Sequence, residues 1–159
     1  MEYRDLYDEN RKLTGEKILK DNKIPEGKYI NTVVIFIENK RGELLLQVNK
    51  KYNKWSTTGG HPKSGETSVE GIITEVKEEL GIDISSDKIE LFKTIKTEDD
   101  FVDLYYLNKD IDLMDIDRSE EVGKVGWFNE DVILEMISKK KLIPSHVTFY
   151  KELLKYKGL

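Results

Sequence analysis

Runs of apolar residues predict strands in the first third of the chain. Residues 29–37 are, Asn31 apart, all β-branched or aromatic, which is typical of a strand buried on both faces. The turn-forming stretch 39–42, Asn-Lys-Arg-Gly, leads into a second apolar run at 43–48. This pattern predicts a β-hairpin.

Two shorter runs precede this hairpin. Residues 3–7 and 17–19 have the composition of short strands, and the polar turn 8–11 lies between them, with Thr14-Gly15 beyond it. We therefore expect residues 1–25 to form an N-terminal extension, an edge hairpin that covers the sheet, with a direct role in substrate binding as the alternative.

One amphipathic helix is marked at both ends between residues 67 and 81. Thr67 is a good N-cap with Glu70 three residues later, a pair whose side chains satisfy each other's backbone N–H groups, and Gly81 suits the left-handed position that ends a helix. Apolar residues recur at spacings of three and four, and they form one stripe that must pack on an apolar surface. The stripe consists of Val69, Ile72, Ile73, Val76 and Leu80.

The rest of the chain continues with strands and helices, which predict an α/β (α+β) fold with a mixed sheet and helices on both of its faces. In order, these elements are strands at 89–95, 101–107 and 122–128, with an acidic loop at 110–121, and two helices opened by Asn129 and Pro144.

Composition narrows the range of functions. A length of 159 residues is normal for one domain with a real core, so we expect residues 1–159 to form a single domain. A net charge of −5 disfavours a nucleic-acid polymer as partner, because proteins that bind one present a basic face. The absence of cysteine excludes disulfides, thiol nucleophiles and cysteine-bound metals. The first residues resemble no targeting peptide and no apolar run is long enough for a membrane span, so we expect a cytoplasmic protein without a membrane partner.

An acidic patch lies beside the apolar stripe of the amphipathic helix. Glu75, Glu78 and Glu79 are three and four residues apart and converge within about one turn. Like charges at this spacing destabilise a helix and raise one another's pKa values, and a divalent cation removes that penalty. Oxygen ligands alone favour Mg²⁺ or Mn²⁺ over zinc. A solvated acidic helix face is the alternative, because charged residues make up 36% of the chain.

The stretch 60–82 resembles the signature of the Nudix hydrolase superfamily. That signature reads glycine, five residues, glutamate, seven residues, arginine, glutamate, a hydrophobic residue, any residue, two glutamates, any residue, glycine and a hydrophobic residue. All positions but one agree, and the exception is Thr74, where the family has arginine. The matching residues are Gly60, Glu66, Glu75, Val76, Glu78, Glu79, Gly81 and Ile82.

The resemblance implies an αβα sandwich that hydrolyses a diphosphate linkage, in a nucleoside diphosphate derivative or a related small diphosphate, with Mg²⁺ as cofactor and Mn²⁺ as an alternative. It implies that Glu75, Glu78 and Glu79 bind the metal together with the carbonyl of Gly60. Glu66 would orient the loop and the helix.

The general base is open between two positions. Glu79 could take the proton of the attacking water, and so could an acid from another loop. In the superfamily a glutamate just before the strand at 122–128 often supplies a further metal ligand or the base, which makes Glu120 and Glu121 candidates, with ordinary loop charge as the alternative for each.

The threonine at position 74 raises a question about how the motif is held. The family's arginine is a bidentate partner of a motif glutamate, and Thr74 offers neither its charge nor its reach. Lys63 or Lys77 could substitute for it. Otherwise the site is held in another way, or it is less well organised and slower.

Several residues near the motif are candidates for substrate binding. Lys50, Lys51 and Lys54 lie close in sequence to the glycine loop and could meet phosphates, with solvated surface lysines as the alternative. Trp55 could stack on a nucleobase or pack half-buried. His61 could contact phosphate or hydrogen-bond the backbone. We expect His146 to be structural or solvent-facing.

A finer resemblance concerns the N-terminal segment. Residues 6–10 with Thr14-Gly15 resemble the extension of Nudix proteins on the branch nearest isopentenyl-diphosphate isomerase, and Trp55 and His61-Pro62 resemble that enzyme's loop. The isomerase needs a cysteine and several metal-binding histidines, and this chain has no cysteine and two histidines, which favours a hydrolase over an isomerase. The remaining alternative is a nucleotide-sensing module without turnover, which Thr74 alone supports. A homodimer is compatible with the sequence.

Overall fold

A computed structural model describes residues 2–159, and within them the chain forms nine strands and three α-helices. In chain order they are β1 (Tyr3–Tyr7), β2 (Leu13–Leu19), β3 (Ile30–Glu38), β4 (Leu44–Asn49), β5 (Lys54–Ser56), β6 (Thr58–Gly60), α1 (Ser68–Leu80), β7 (Glu90–Lys96), β8 (Asp100–Asn108), β9 (Val122–Phe128), α2 (Glu130–Ser138) and α3 (Pro144–Tyr156).

The strand β3 lies at the centre of a mixed sheet. It pairs in parallel with β8 along its whole length, and its other edge pairs antiparallel with β6 through Val33, Val34 and Ile35. The predicted hairpin of β3 and β4 is present at its turn but stays paired only at Glu38 and Leu44. Because β6 takes the place beside β3, β4 pairs instead with β5 and β9. The strand β6 was not predicted from the sequence.

Two apolar cores lie on opposite faces of this sheet, which confirms the predicted sandwich. Because successive side chains of a strand point to opposite faces, β3 contributes to both cores. Residues Val33, Ile35 and Ile37 pack with Ile72, Val76 and Leu80 of α1. On the other face, Val34 and Phe36 pack with Ile133 and Met136 of α2 and with Phe149, Tyr150 and Leu153 of α3.

The helix α1 begins and ends where the sequence predicts. The Thr67 hydroxyl accepts a hydrogen bond from the backbone N–H of Glu70, the Glu70 carboxylate accepts one from the N–H of Thr67, and Gly81 has a φ of 70°. Three residues of the apolar stripe are fully buried, while Val69, at the start of the helix, is 40% exposed. Full burial of one such side chain stabilises by about 1.5–3 kcal/mol, so the stripe holds the acidic face of α1 in a defined orientation.

The N-terminal hairpin is present as a separate two-stranded sheet of β1 and β2. The strand β2 is longer than predicted, because Thr14 and Gly15 lie within it. A buried ion pair fastens the hairpin to the main sheet: the Arg11 guanidinium donates to both oxygens of Asp103 at 2.9 and 2.5 Å, and Asp103 is 1% exposed. Among residues 2–159, no helix is long and apolar enough to cross a bilayer.

Candidate active site

Gly60 ends β6 directly against the acidic face of α1. A Cβ atom built on Gly60 would lie 2.3 Å from Cδ of Glu75 and 2.5 and 2.6 Å from its two carboxylate oxygens. These distances are far below van der Waals contact, so a glycine is required where β6 meets Glu75. The motif glycine and the first motif glutamate of α1 are therefore in direct contact.

Glu75 and Glu79 form a partly buried carboxyl pair one helical turn apart. Burial raises the pKa of the Glu75 carboxyl well above its ordinary value. Burial also raises the pKa of Glu79, and the neighbouring charge of Glu75 raises it further. Two acids this close and this poorly solvated hold a proton between them near neutral pH unless positive charge is supplied.

A polar chain from the neighbouring strands holds one oxygen of Glu79. The Gln47 amide donates to Oε1 of Glu79 at 2.7 Å, and the Thr58 hydroxyl donates to the Gln47 amide oxygen at 2.8 Å. The second oxygen of Glu79, Oε2, is buried and has no hydrogen-bond partner among residues 2–159. A buried carboxylate oxygen without a donor is costly, and a bound cation removes that cost.

The chemistry of these donors fits a hard divalent cation, because carboxylate oxygens with unsatisfied negative charge are the ligands that Mg²⁺ and Mn²⁺ take. The third predicted ligand lies apart from the pair. Glu78 is half exposed and its carboxylate accepts a hydrogen bond from the Lys63 ammonium at 2.7 Å. Within the described part of the chain, no three acidic, histidine or cysteine side chains are arranged to hold a metal. Three glutamates were expected to converge, and two of them, Glu75 and Glu79, do so in this structure. The third, Glu78, is paired with Lys63 at the surface.

Thr74 binds a motif glutamate directly. Its hydroxyl donates to Oε2 of Glu66 at 2.7 Å, and Oε1 of Glu66 accepts from the backbone N–H of Lys63, also at 2.7 Å. The Lys63 side chain, one of the two proposed substitutes for the family arginine, is paired with Glu78, which is also a motif glutamate. The loop is thus joined to α1 by a neutral hydrogen bond from Thr74 and by the ion pair of Lys63 with Glu78.

A cavity of about 520 Å³ opens beside the carboxyl pair. Its wall contains Gly60, His61 and Glu79 from the predicted site. It also contains residues that the sequence analysis did not select: Gln47, Thr57 and His146, with Thr32 and Asp100 on the adjacent strands. A polar residue within the apolar run of β4 is a signal that could have identified Gln47.

The two histidines are both neutral groups on this cavity wall. Nδ1 of His61 lies 3.2 Å from the Asn31 carbonyl oxygen and from the Thr32 hydroxyl, and burial lowers the pKa of its imidazole. Burial lowers the pKa of His146 to about 4. Its Nδ1 accepts a hydrogen bond from the backbone N–H of Thr57 at 3.3 Å. His146 thus lies on the cavity wall, bonded to Thr57, rather than facing the solvent.

The loop before β9 is attached to the end of α1 and carries Glu121. The Glu79 carbonyl accepts a hydrogen bond from the N–H of Ser119 at 3.0 Å, which attaches this loop to the end of α1. Glu121 is exposed immediately before β9, and its negative charge contributes to the raised pKa of Glu79. Glu121 therefore stays a candidate for a metal ligand or a base.

Three predicted substrate-binding residues lie away from this cavity. Lys50 and Trp55 line a different cavity of about 500 Å³, and Lys54 lines neither of the two. The Trp55 ring packs edge-on against Phe128 at 4.9 Å between ring centroids. The structure thus favours the packing role of Trp55 and does not bring the two lysines to the carboxyl pair, because β5 turns away from α1 to meet the segment before α3.

Comparison with known proteins identifies the same family that the motif resembles. The NUDIX domain family matches residues 28–153 of the chain. The chain is 31% identical over 151 residues to the uncharacterized Nudix hydrolase lmo0368 of Listeria monocytogenes, covering 91% of this chain and 89% of that protein. A similar match, 32% identical over 151 residues with the same shares covered, is the uncharacterized Nudix hydrolase lin0387 of Listeria innocua.

Solved structures share the fold. The crystal structure of DR0079 from Deinococcus radiodurans has a TM-score of 0.74 at 22% identity, covering 89% of this chain and 91% of that one. The NUDIX domain of Shewanella oneidensis NrtR, complexed with ADP ribose, has a TM-score of 0.65 at 15% identity, covering 80% of this chain and 88% of that one. Since the family matches most of the chain and the motif residues meet at one site, this protein belongs to the Nudix family and is a Nudix-type pyrophosphohydrolase.

Proposed function

We propose that the protein hydrolyses the diphosphate linkage of a nucleoside diphosphate derivative, or of a related small diphosphate, with Mg²⁺ as its metal. The observation that carries this proposal is the partly buried pair of Glu75 and Glu79 against Gly60, in which the buried Oε2 of Glu79 lacks a partner among residues 2–159. Nudix hydrolases generally need a divalent cation, and this oxygen-only set suits a hard one.

In this proposal Glu75 and Glu79 hold the cation, with the Gly60 carbonyl beside them. Glu78 joins them when its side chain leaves Lys63, a surface ion pair whose loss costs about 1 kcal/mol or less. When bound, the cation polarises the phosphoryl oxygens and lowers the pKa of water, as phosphoryl cleavage requires. Gln47 keeps Glu79 in one rotamer, so the direction of its free oxygen is set before substrate arrives.

A carboxylate must also accept the proton of the attacking water. Glu79 accepts a hydrogen bond from Gln47 at one oxygen, and Glu121 is an exposed acid whose negative charge acts on Glu79. We propose Glu79 as the base, with Glu121 as the alternative from another loop.

The size of the cavity supports a ligand of nucleotide dimensions, since pockets for such ligands measure about 300–1,000 Å³. Two fold neighbours support the same substrate class: the NrtR domain is complexed with ADP ribose, and a Caenorhabditis elegans neighbour is an Ap4A hydrolase, with a TM-score of 0.57 at 17% identity. The hairpin of β1 and β2 supports the proposed branch nearest isopentenyl-diphosphate isomerase. The lack of cysteine favours hydrolysis over isomerisation.

The test is release of phosphorylated products from nucleoside diphosphate sugars, dinucleoside polyphosphates and prenyl diphosphates, with Mg²⁺ and with excess chelator. We expect turnover of at least one compound that requires the metal. The variant Glu79→Gln should lower kcat by roughly 10²-fold or more with an unchanged circular dichroism spectrum. The matched control is Glu98→Gln, which removes one exposed carboxylate from the turn between β7 and β8.

Two results would contradict the proposal. Tight nucleotide binding by the wild type without turnover of any compound would identify a sensing module. Near-normal kcat for Glu79→Gln together with a large loss for Glu121→Gln would show that Glu121, in the loop before β9, is the base.

A further inference from the structure

The His146 ring is held on the cavity wall by a hydrogen bond at one of its two nitrogens. Its Nδ1 accepts from the backbone N–H of Thr57 at 3.3 Å, and the Thr57 hydroxyl lies 2.9 Å from the same nitrogen. The Phe149 ring packs edge-on against the imidazole, with 5.2 Å between the ring centroids. These contacts fix the orientation of the imidazole before any ligand binds.

The bond to Thr57 determines which nitrogen of His146 carries the proton. A backbone N–H can only donate, so Nδ1 must present its lone pair and carries no hydrogen. An imidazolium would direct a second N–H at the N–H of Thr57, which disfavours the charged form, and burial lowers the pKa of the imidazole to about 4. The neutral ring therefore has its single N–H at Nε2.

The Nε2–H of His146 is a donor that a ligand in the cavity can reach. Among residues 2–159 no group is hydrogen-bonded to Nε2, and this atom keeps some accessible surface. Because Nδ1 points to Thr57 and His146 lines the cavity, the Nε2 edge is the one that the cavity exposes. A ligand that displaces water from this donor must supply an acceptor in return, or binding is weakened.

The cavity wall carries acids and no basic side chain. Its two charged residues are Glu79, in the candidate metal site, and Asp100, and among residues 2–159 no lysine or arginine lines it. Asp100 accepts hydrogen bonds from the Thr32 hydroxyl at 2.7 Å and from the Thr97 hydroxyl, and its oxygens have further lone pairs to accept with. Since like charges repel, the part of the cavity away from the cation site suits an uncharged group rather than another phosphate.

We propose that this part of the cavity binds the ribose of a nucleoside diphosphate, and that the Nε2–H of His146 donates a hydrogen bond to an oxygen of that sugar. The inference deepens the proposed function and rests on it for the diphosphate. Sugar hydroxyls both donate and accept, so they match the donor on His146 and the acceptor on Asp100. A prenyl chain would leave both groups without a partner, which disfavours prenyl diphosphates as substrates.

The test uses two diphosphate analogues in which a methylene group replaces the oxygen between the phosphorus atoms, so that this linkage cannot be hydrolysed. One is α,β-methylene-ADP, which carries the nucleoside, and the other is methylenediphosphonate, which lacks it. Calorimetry with Mg²⁺ measures the affinity of both for wild type, His146→Gln and His146→Asn. The glutamine amide can place an N–H where Nε2 lies, but it loses the bond to Thr57. The asparagine amide oxygen can accept from Thr57 at the position of Nδ1, but it leaves no donor at Nε2.

We expect wild type to bind α,β-methylene-ADP more tightly than methylenediphosphonate. His146→Asn should weaken binding of α,β-methylene-ADP by roughly three- to tenfold, as for the loss of one neutral hydrogen bond, and His146→Gln by less than about twofold. Neither variant should change the affinity for methylenediphosphonate. Thermal unfolding without ligand should give the opposite order, with His146→Asn closer to wild type than His146→Gln, because it keeps the bond to Thr57.

Three results would overturn the role of His146. The first is α,β-methylene-ADP bound by wild type no more tightly than methylenediphosphonate. The second is equal affinity for α,β-methylene-ADP in wild type and His146→Asn. The third is a larger loss of affinity in His146→Gln than in His146→Asn, parallel to their melting temperatures, which would make His146 structural only.

Turnover is measured separately, because binding of these analogues does not depend on hydrolysis. The expected affinities without turnover of any diphosphate by wild type would keep the sugar contact and refute the hydrolase. Turnover by wild type with unchanged affinity in His146→Asn would keep the hydrolase and refute the sugar contact.

Discussion

The contact between Gly60 and Glu75 allows a sharp test of the candidate metal site. In Gly60→Ala the new Cβ would lie 2.3 Å from Cδ of Glu75. Since carbon atoms in contact are separated by about 3.5–4.0 Å, the carboxylate must move by at least about 1 Å. Metal–ligand distances in proteins vary by only about 0.2 Å, so the displaced carboxylate no longer completes a site with Glu79.

The expected loss of stability follows from overpacking, and the expected loss of Mg²⁺ affinity follows from the displaced carboxylate. Overpacking at a filled position costs about 1–3 kcal/mol, and in the metal-free protein part of this cost is offset because Glu75 moves away from Glu79. We therefore expect Gly60→Ala to melt about 2–6 °C below wild type in chelator. Its affinity for Mg²⁺ should fall by roughly tenfold or more, as it does when the groups that orient a ligand are removed.

The assay is thermal unfolding across a Mg²⁺ titration, because a ligand that binds only the folded state raises the melting temperature with its concentration. The control is Gly123→Ala on β9, where the nearest atom to the new Cβ would be Cγ1 of Val48 at 3.3 Å. We expect the control to keep the full Mg²⁺-dependent rise. An equal rise in Gly60→Ala and wild type would refute the placement of the cation at this contact.

Three further predictions concern the support of the site. Thr74→Val removes the hydrogen bond to Glu66, and we expect it to lower the free energy of unfolding by about 1 kcal/mol and to reduce kcat, measured by urea titration and steady-state kinetics. Arg11→Ala leaves Asp103 as a buried charge without its bidentate partner, so we expect a loss of about 3–5 kcal/mol in the same urea titration. The raised pKa of Glu79 means that folding favours its protonated form, so this contribution is present below the ordinary carboxyl pKa and is lost as pH rises through neutrality. In chelator, the melting temperature of wild type relative to Glu79→Gln should therefore fall between about pH 5 and pH 9.

Each of these three predictions would be contradicted by a specific result. Full stability and kcat in Thr74→Val would show that the loop is held without this hydroxyl. A loss below 1 kcal/mol in Arg11→Ala would mean that water solvates Asp103 once the arginine is gone. A melting-temperature difference that stays constant with pH would show that Glu79 is ionised in the metal-free protein.

Local interactions explain which elements the sequence predicted correctly. The boundaries of α1 depend on Thr67, Glu70 and Gly81, which act within four residues of the helix ends, and the structure has these caps where the sequence predicts them. The burial of β3 on both faces follows from its composition, since a run of β-branched residues on both sides of a strand needs apolar partners on both sides. Gly60 and Glu75 are both motif residues, and the structure places them in contact.

Long-range pairing decided the rest. The polar chain from Thr58 through Gln47 to Glu79 exists because β6 and β4 are placed beside α1, and no spacing in the sequence relates these three positions. The same holds for His146 in the first turn of α3, which reaches the cavity because the segment before α3 pairs with β5.

The sequence alone determined that a capped helix presents acids beside a glycine loop, because capping and helical period are properties of neighbouring residues. Only the tertiary structure decided which acids converge, and it brought Glu75 and Glu79 together while Lys63 holds Glu78 at the surface. It also decided that the N-terminal hairpin is bonded to the motif loop through Asp5, since such contacts join residues far apart in the chain.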